Sequence, residues 1–233
     1  MWFRGFKKLS LVDYPGKVAS IAFTGGCDFR CPWCYVRDLV FNSPALPKIS
    51  ETKVLNYMRK YRDWIDGLVV SGGEPTIHRE LPDFLEKVKK EGFSVALETN
   101  GSNPDMLEHL IEHRLIDYVE MDVKGYNTEL YKRATGVDVD IKDIKRSIRL
   151  IKRGMKEYAF RTTVVPTIHR PVDVVRIAKM IRGAKRYYIQ QFKHSDSLID
   201  PSFNKIPPYS RKVLEGIATR CKKFVRDVRL RNV

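Results

Sequence analysis

Cysteine is scarce, at 4 in 233 residues, which excludes a small disulfide-held scaffold, where cysteine reaches roughly 8% or more. Long apolar runs are missing too. No window approaches the roughly 18 uninterrupted apolar residues of a membrane-spanning helix, and Met1-Trp2-Phe3-Arg4 does not open a charged-then-apolar export signal. A cytoplasmic location and no membrane contact are therefore expected. There is no Ser/Gly/Pro-rich or low-complexity stretch, no internal repeat and no linker, so wholesale disorder is excluded and residues 1–233 read as one domain. Acidic residues are short in one half only: residues 1–131 carry 17 basic and 19 acidic side chains, whereas residues 132–233 carry 26 and 9. The net charge of +15 thus belongs to the second half. Such a field attracts an acidic protein, a nucleic acid or an anionic small molecule without choosing among them. A solvated Lys/Arg-rich surface of the kind linked to heat stability is the other reading.

What is present is a globular chain, 43% hydrophobic, with two periodicities. Strands are expected near Val18 to Phe23, Gly67 to Ser71, Ser94 to Glu98, Tyr118 to Asp122, Tyr158 to Val165 and Lys185 to Gln191. Between them lie helical spacings, such as Val54, Leu55, Met58, Tyr61 and Ile65 after a Ser50 N-cap, and Leu81, Phe84, Leu85 and Val88 ending near Gly92. Alternation of this kind predicts parallel β/α units with right-handed crossovers, in an open sheet or a barrel. The site then lies where loops leave the carboxyl ends of strands. Asp200 to Tyr209 reads as an irregular stretch before a last helix.

After the first of these strands comes Gly25-Gly26-Cys27-Asp28-Phe29-Arg30-Cys31-Pro32-Trp33-Cys34. Its three thiols, spaced C-x3-C-x2-C, can converge on one metal centre. A structural zinc usually takes four protein ligands, and the fourth cysteine, Cys221, falls on the apolar stripe of the last helix with Leu214, Ile217, Ala218 and Val225. Three thiolates suit a cubane iron–sulfur cluster with one iron left for a substrate or cofactor. Zinc and unrelated free thiols are the alternatives.

This spacing resembles the signature of the radical S-adenosylmethionine (SAM) enzymes, and the chain is similar to activating enzymes of the anaerobic ribonucleotide reductase, a group of glycyl-radical activases. The resemblance runs from Lys8-Leu9-Ser10-Leu11-Val12-Asp13-Tyr14-Pro15-Gly16-Lys17 through the cysteine loop to Ser71-Gly72-Gly73-Glu74-Pro75-Thr76. It continues in Glu98-Thr99-Asn100-Gly101, Met121-Asp122-Val123-Lys124 and Phe160-Arg161-Thr162-Thr163-Val164-Val165-Pro166. It implies an α/β fold, a partial (β/α)6 TIM-like barrel. It also implies that Cys27, Cys31 and Cys34 hold a [4Fe–4S] cluster whose open iron binds SAM. The cofactors supply the radical chemistry, and the protein supplies position, potential and exclusion of water.

By the same resemblance Gly72, Gly73, Glu74 and Pro75 form the methionine-amine site, with glycines letting the backbone approach and Glu74 accepting from the amine. No Gly-Lys-Ser/Thr follows, so this is not a phosphate loop. Glu98, Thr99 and Asn100, with Asp122 and Lys124, would surround the sulfonium's carboxylate and ribose. Glu98 stands where related activases usually have an Asp that helps hold a monovalent cation. Arg161, with Thr163 beside it, resembles the cofactor-facing arginine, and Gln190 or Gln191 would reach the adenosine. Trp33 would lie near the adenine or cover the cluster, unless it only packs. Related chains follow the third cysteine with His-Asn-Pro, whereas Tyr35-Val36-Arg37 stands here.

His109-Leu110-Ile111-Glu112-His113 matches an inverted zinc-peptidase pattern, but the apolar face of its helix, Leu107, Leu110, Ile111 and Leu115, turns both histidines to solvent. The expected activity is removal of a glycine α-hydrogen from a partner anaerobic ribonucleotide reductase. With three clustered cysteines there is no auxiliary cluster, so an external donor such as an acidic ferredoxin or flavodoxin is expected. The rival readings are a radical enzyme acting on transfer RNA, with RNA contact through the basic half, and a non-catalytic zinc-stabilised binding domain.

Overall fold

The computed structural model describes residues 1–233. Two strands, β1 (Trp2–Phe3) and β2 (Gly5–Ser10), precede β3 (Ala19–Thr24), and the cysteine loop then leads through the short helix α1 (Arg37–Val40) to β4 (Ile49–Ser50). Next come α2 (Glu51–Lys60), β5 (Gly67–Gly72), α3 (Leu81–Lys90), β6 (Ser94–Thr99), α4 (Pro104–Glu112) and β7 (Tyr118–Asp122). The chain finishes with α5 (Thr128–Thr135), α6 (Ile141–Gly154), β8 (Glu157–Val164), α7 (Pro171–Met180), β9 (Arg186–Gln191), α8 (Arg211–Cys221) and β10 (Asp227–Arg231). Five of the eight helices start where a side chain satisfies a free N–H group. Ser50 Oγ accepts from Lys53 N, and Asn103, Asn127, Asp140 and Ser210 do the same for α4, α5, α6 and α8.

One sheet has the order β10-β9-β8-β7-β6-β5-β3-β2, parallel from β3 to β10, with β2 antiparallel at the edge. Among the parallel strands the order never reverses. Each right-handed crossover therefore steps the same way and puts its helix on the same face, which curls the sheet toward a barrel instead of a doubly wound layer. β2 and β10 are edges and do not pair with each other, so the barrel is partial. The six strands expected from periodicity are β3 and β5 to β9. The two edge strands are additions to that count. In β10 three of five residues, Asp227, Arg229 and Arg231, are charged, which hides a strand from an apolar-run reading.

Alternation sorts the parallel strands into two faces. Leu68, Val70, Val95, Leu97, Val119, Met121, Phe160 and Ile189 point outward into a core of 50 buried residues beneath the helices. Each such side chain contributes roughly 1.5–3 kcal/mol on burial. Ile21, Val69, Ala96, Tyr118, Ala159 and Tyr188 point inward and, with Tyr14 and Ala19, fill the base of the concave face. The next inward positions toward the carboxyl ends are Ser71, Glu98, Glu120, Asp122, Arg161, Thr163 and Gln190. The interior is apolar at its base and charged at its mouth.

Candidate active site

The loop carrying Cys27, Cys31 and Cys34 is irregular, yet its backbone is tied down by five hydrogen bonds from four segments. Gly26 N donates to Leu39 O (2.7 Å), Arg30 N to Thr135 O (2.7 Å), Glu74 N to Gly26 O (2.8 Å), Asp200 N to Pro32 O (2.9 Å) and Ile199 N to Cys34 O (3.1 Å). The Arg30 guanidinium donates to Cys27 O and to Phe29 O, tightening the first half of the loop. The irregular stretch around Asp200 is thus a strap over the cysteines. Such bonds fix the loop before any cofactor arrives, so little ordering entropy remains to be lost on binding.

The Gly-Gly-Glu turn presses on this loop. A Cβ on Gly73 would lie 1.8 Å from Gly26 O, and one on Gly72, whose φ is +120°, would lie 2.4 Å from both Thr24 N and Thr24 O. Only glycine permits that approach. Glu74 faces away from the mouth: it is 1% exposed. Oε1 accepts from Thr76 N (3.1 Å), Thr76 Oγ1 (2.6 Å) and Thr99 Oγ1 (2.7 Å), and Oε2 from Asn100 N (2.6 Å). Burial raises its carboxyl to about 7 against the pull of these donors. The expectation that its carboxylate meets a cationic amine is corrected. Glu74 buckles the ends of β5 and β6 together from behind. Pro75, buried, opens the single 3-10 turn that follows. Asn100 bridges to the cysteine loop through Nδ2, 2.8 Å from Asp28 Oδ1.

Deeper in the mouth, Glu98, Glu120 and Asp122 meet Lys124, Arg161 and Arg231. Arg161 donates through Nε and Nη2 to Asp122 (2.9 and 3.0 Å) and through Nη1 to Glu120 Oε1 (2.6 Å). Glu98 Oε2 accepts from Ser71 Oγ (2.9 Å), and Oε1 lies 3.7 Å from Arg161 Nη1, so a protein cation faces the carboxylate that stands where related activases usually have an Asp. Lys124 Nζ is 3.5 Å from Asp122. Burial alone would raise the Asp122 carboxyl, but Arg161 and Lys124 hold it well below the usual carboxylate range. Burial raises Glu98, with Arg161 opposing. Gln190 Nε2 donates to Thr163 Oγ1 (3.2 Å) on the inner face. Gln191, one residue on, points the other way and donates to Tyr209 O. Of that pair only Gln190 faces the interior.

Trp33 is 6% exposed and packs edge-on against His169, ring centroids 5.7 Å apart, and against Phe203 at 6.4 Å. It anchors the loop under the strap. His169 was not singled out by its sequence context, yet it is fully buried. Its Nδ1 accepts from Val165 N (3.2 Å), and its Nε2 is 2.9 Å from Lys124 O, which sets the proton on Nε2. Burial lowers this imidazole to about 4 from 6.5, so it stays neutral. The folded state thus binds the proton more weakly than the unfolded chain, and stability present above pH 6.5 is lost as pH falls toward 4. The shift corresponds to about 3 kcal/mol. The Glu74 carboxyl, raised in the fold, shifts stability the opposite way over the same range in both proteins, so urea unfolding at pH 7, 5.5 and 4 is expected to show the His169 loss as the difference between the parent and His169→Gln; parallel curves would contradict it.

Cys221 sits on α8, fully buried with Sγ 3.9 Å from Val174 O on α7, away from the other three, so no four-cysteine zinc site is built. His109 and His113 stack at 4.1 Å on the exposed face of α4, as their spacing indicated. Glu120 and Arg231 are site residues that the sequence reading missed. Glu120 shares inward parity with Tyr118 and Asp122, a signal that was available. Arg231 needed β10.

No three His, Cys, Asp or Glu side chains form an ion cage; what the structure holds is the tethered backbone of the cysteine loop. As free thiols the three are protonated: burial raises Cys27 to about 12, Cys31 to about 11 and Cys34 above its ordinary value. Lys124 pulls against that shift at Cys31 and Cys34, favouring thiolate there. Three soft donors in one tethered loop beside a cation fit an iron–sulfur cluster.

A singly wound partial barrel with this loop at its mouth defines a radical SAM enzyme, and the chain belongs to the radical SAM superfamily, whose sequence profile matches residues 21–182. Its cofactors are a [4Fe–4S] cluster and SAM. The chain is 33% identical over 236 residues, 98% of its own length and 95% of the relative's, to a Methanocaldococcus jannaschii protein named, by inference, as a glycyl-radical enzyme activating enzyme. It is 29% identical over 140 residues, 57% of this chain and 55% of the other, to the pyruvate formate-lyase 1-activating enzyme of Escherichia coli. The crystal structure of a radical SAM methyltransferase from Sphaerobacter thermophilus matches with a TM-score of 0.72, covering 97% of this chain and 69% of that one at 12% identity, a likeness of fold alone. The protein is thus a radical SAM enzyme homologous to glycyl-radical enzyme activating enzymes.

Proposed function

We propose that this protein removes an α-hydrogen from a glycine of an anaerobic ribonucleotide reductase, storing a glycyl radical there. The observation that carries the reading is the full-length similarity to a protein named by inference as an activating enzyme, in a chain whose cysteine loop is held by five backbone hydrogen bonds. When bound, the reduced cluster and SAM together supply the 5′-deoxyadenosyl radical that takes the hydrogen atom. Cys27, Cys31 and Cys34 would hold the cluster. Gly72, Gly73, Thr99 and Asn100 would offer backbone and short polar groups to the methionine end, and Asp122, Lys124 and Arg161 would face its charges. Gln190 would approach the adenosine. Trp33 and the strap keep water from the loop. Tyr35, 61% exposed on the rim after Cys34, lies where a partner's loop would enter. The electron comes from an external donor, an acidic ferredoxin or flavodoxin suited to the positive half, in the reducing cytoplasm.

The test is electron paramagnetic resonance of reconstituted protein mixed anaerobically with the reductase, SAM and dithionite. A glycine-centred doublet is expected, and formation of deoxyadenosine with no doublet would sink this assignment. A second reading, transfer RNA as substrate, draws on the groove along α6 lined by Lys145, Arg149 and Lys152. RNA binding that falls steeply between 50 and 200 mM salt would favour it, and no binding at low salt would dispose of it.

A further inference from the structure

Glu120, 3% exposed on the inner face of β7, is shared between two arginines. Its Oε1 accepts from Arg161 Nη1 at 2.6 Å and from Arg231 Nη1 at 2.7 Å, and its Oε2 accepts from Arg231 Nη2 at 3.0 Å. Arg231 reaches inward from the end of β10, its guanidinium 3.3 Å from the centre of the Tyr188 ring. Arg161 commits Nε and Nη2 to Asp122. Of its five N–H groups three are taken in these bonds, leaving one on each terminal nitrogen for a ligand at the mouth.

We propose that Arg231 and Glu120 are positioning residues, which hold the Arg161 guanidinium at the height and angle from which its two free N–H groups meet the cofactor. Arg231 shares one carboxylate oxygen of Glu120 with Arg161 and holds the other together with the more distant Tyr118 hydroxyl (3.4 Å), so Glu120 cannot close a two-point grip on Arg161. Without Arg231 the desolvated carboxylate turns both oxygens to Arg161 and draws the guanidinium toward the apolar base. Without Glu120 as well, Nη1 loses its partner and the plane is fixed by Asp122 alone. A bidentate contact depends on that plane. The role rests on the reading of Arg161 as cofactor-facing.

Equilibrium dialysis of SAM against the anaerobically reconstituted protein tests it, alongside the thermal midpoint. Arg231→Met is expected to weaken SAM binding about tenfold and to lower the midpoint, since it strands a buried carboxylate. The double variant Glu120→Leu/Arg231→Met replaces the pair by apolar groups and is expected to recover the midpoint while binding SAM as weakly as the single variant. A purely structural pair would recover both together, so parent-like affinity in the double variant overturns the proposal. Arg161→Gln is the reference. If it weakens binding and the double variant does not, only the positioning role falls; if Arg161→Gln binds SAM like the parent, the cofactor-facing reading of Arg161 falls, and the positioning role with it.

Discussion

Replacing Cys27, Cys31 or Cys34 by alanine, one at a time, is expected to abolish reductive cleavage of SAM, a loss of roughly a thousandfold or more, together with the visible absorption of the reconstituted cluster. On the proposed assignment the three sulfurs do one job, since two thiolates cannot hold a cubane against dissociation and the fourth thiol, Cys221, is buried elsewhere. Cys221 is buried against α7, so Cys221→Ala is expected to keep full iron content and activity and to cost a small amount of stability for the cavity. Iron analysis and deoxyadenosine assays on the four variants check this. Normal iron in any of the three loop variants, or its loss in Cys221→Ala, would break the assignment. The raised thiol pKa values add a direction: binding releases protons, so anaerobic reconstitution is favoured as pH rises.

The second large effect is expected at Gly73, which has no side chain to take part in the chemistry. An alanine Cβ there would lie 1.8 Å from Gly26 O and 2.6 Å from Gly26 C, both backbone atoms of the tethered loop. Neither side can yield by turning a side chain. The Gly-Gly-Glu turn or the cysteine loop must move by about an ångström, and displacement of that size costs on the order of a hundredfold in a positioned reaction. Gly73→Ala is therefore expected to lose SAM binding and cleavage about 100-fold. Gly216→Ala, in α8 with no atom within 4 Å of the added carbon, is expected to be neutral or stabilising by roughly 0.5–1 kcal/mol. Calorimetric SAM titration and circular-dichroism melting on both variants separate loss of the site from loss of the fold. A Gly73→Ala protein that melts and binds like its parent would show that the two loops do not depend on their contact.

Order along the chain was written locally. Period-two runs mark the six central strands, Ser50 and the apolar spacing after it mark α2, and three cysteines within eight positions mark the chemistry, because each of these signals is carried by neighbours in sequence. Charge parity along β7 would have marked Glu120 as well. What only the tertiary structure decided depends on residues far apart in the chain. Whether Glu74 faces a ligand or a buckle was settled by Thr99 and Asn100, donors 25 and 26 positions away. Which of Gln190 and Gln191 looks inward was settled by strand parity at the sheet's end, and the neutral His169 by its packing under Trp33. Arg231 enters the site from 111 residues beyond Glu120, through an edge strand too charged to announce itself. Sequence records which groups can do chemistry; burial, which sets a group's partners and its proton affinity, exists only once distant segments have closed around it.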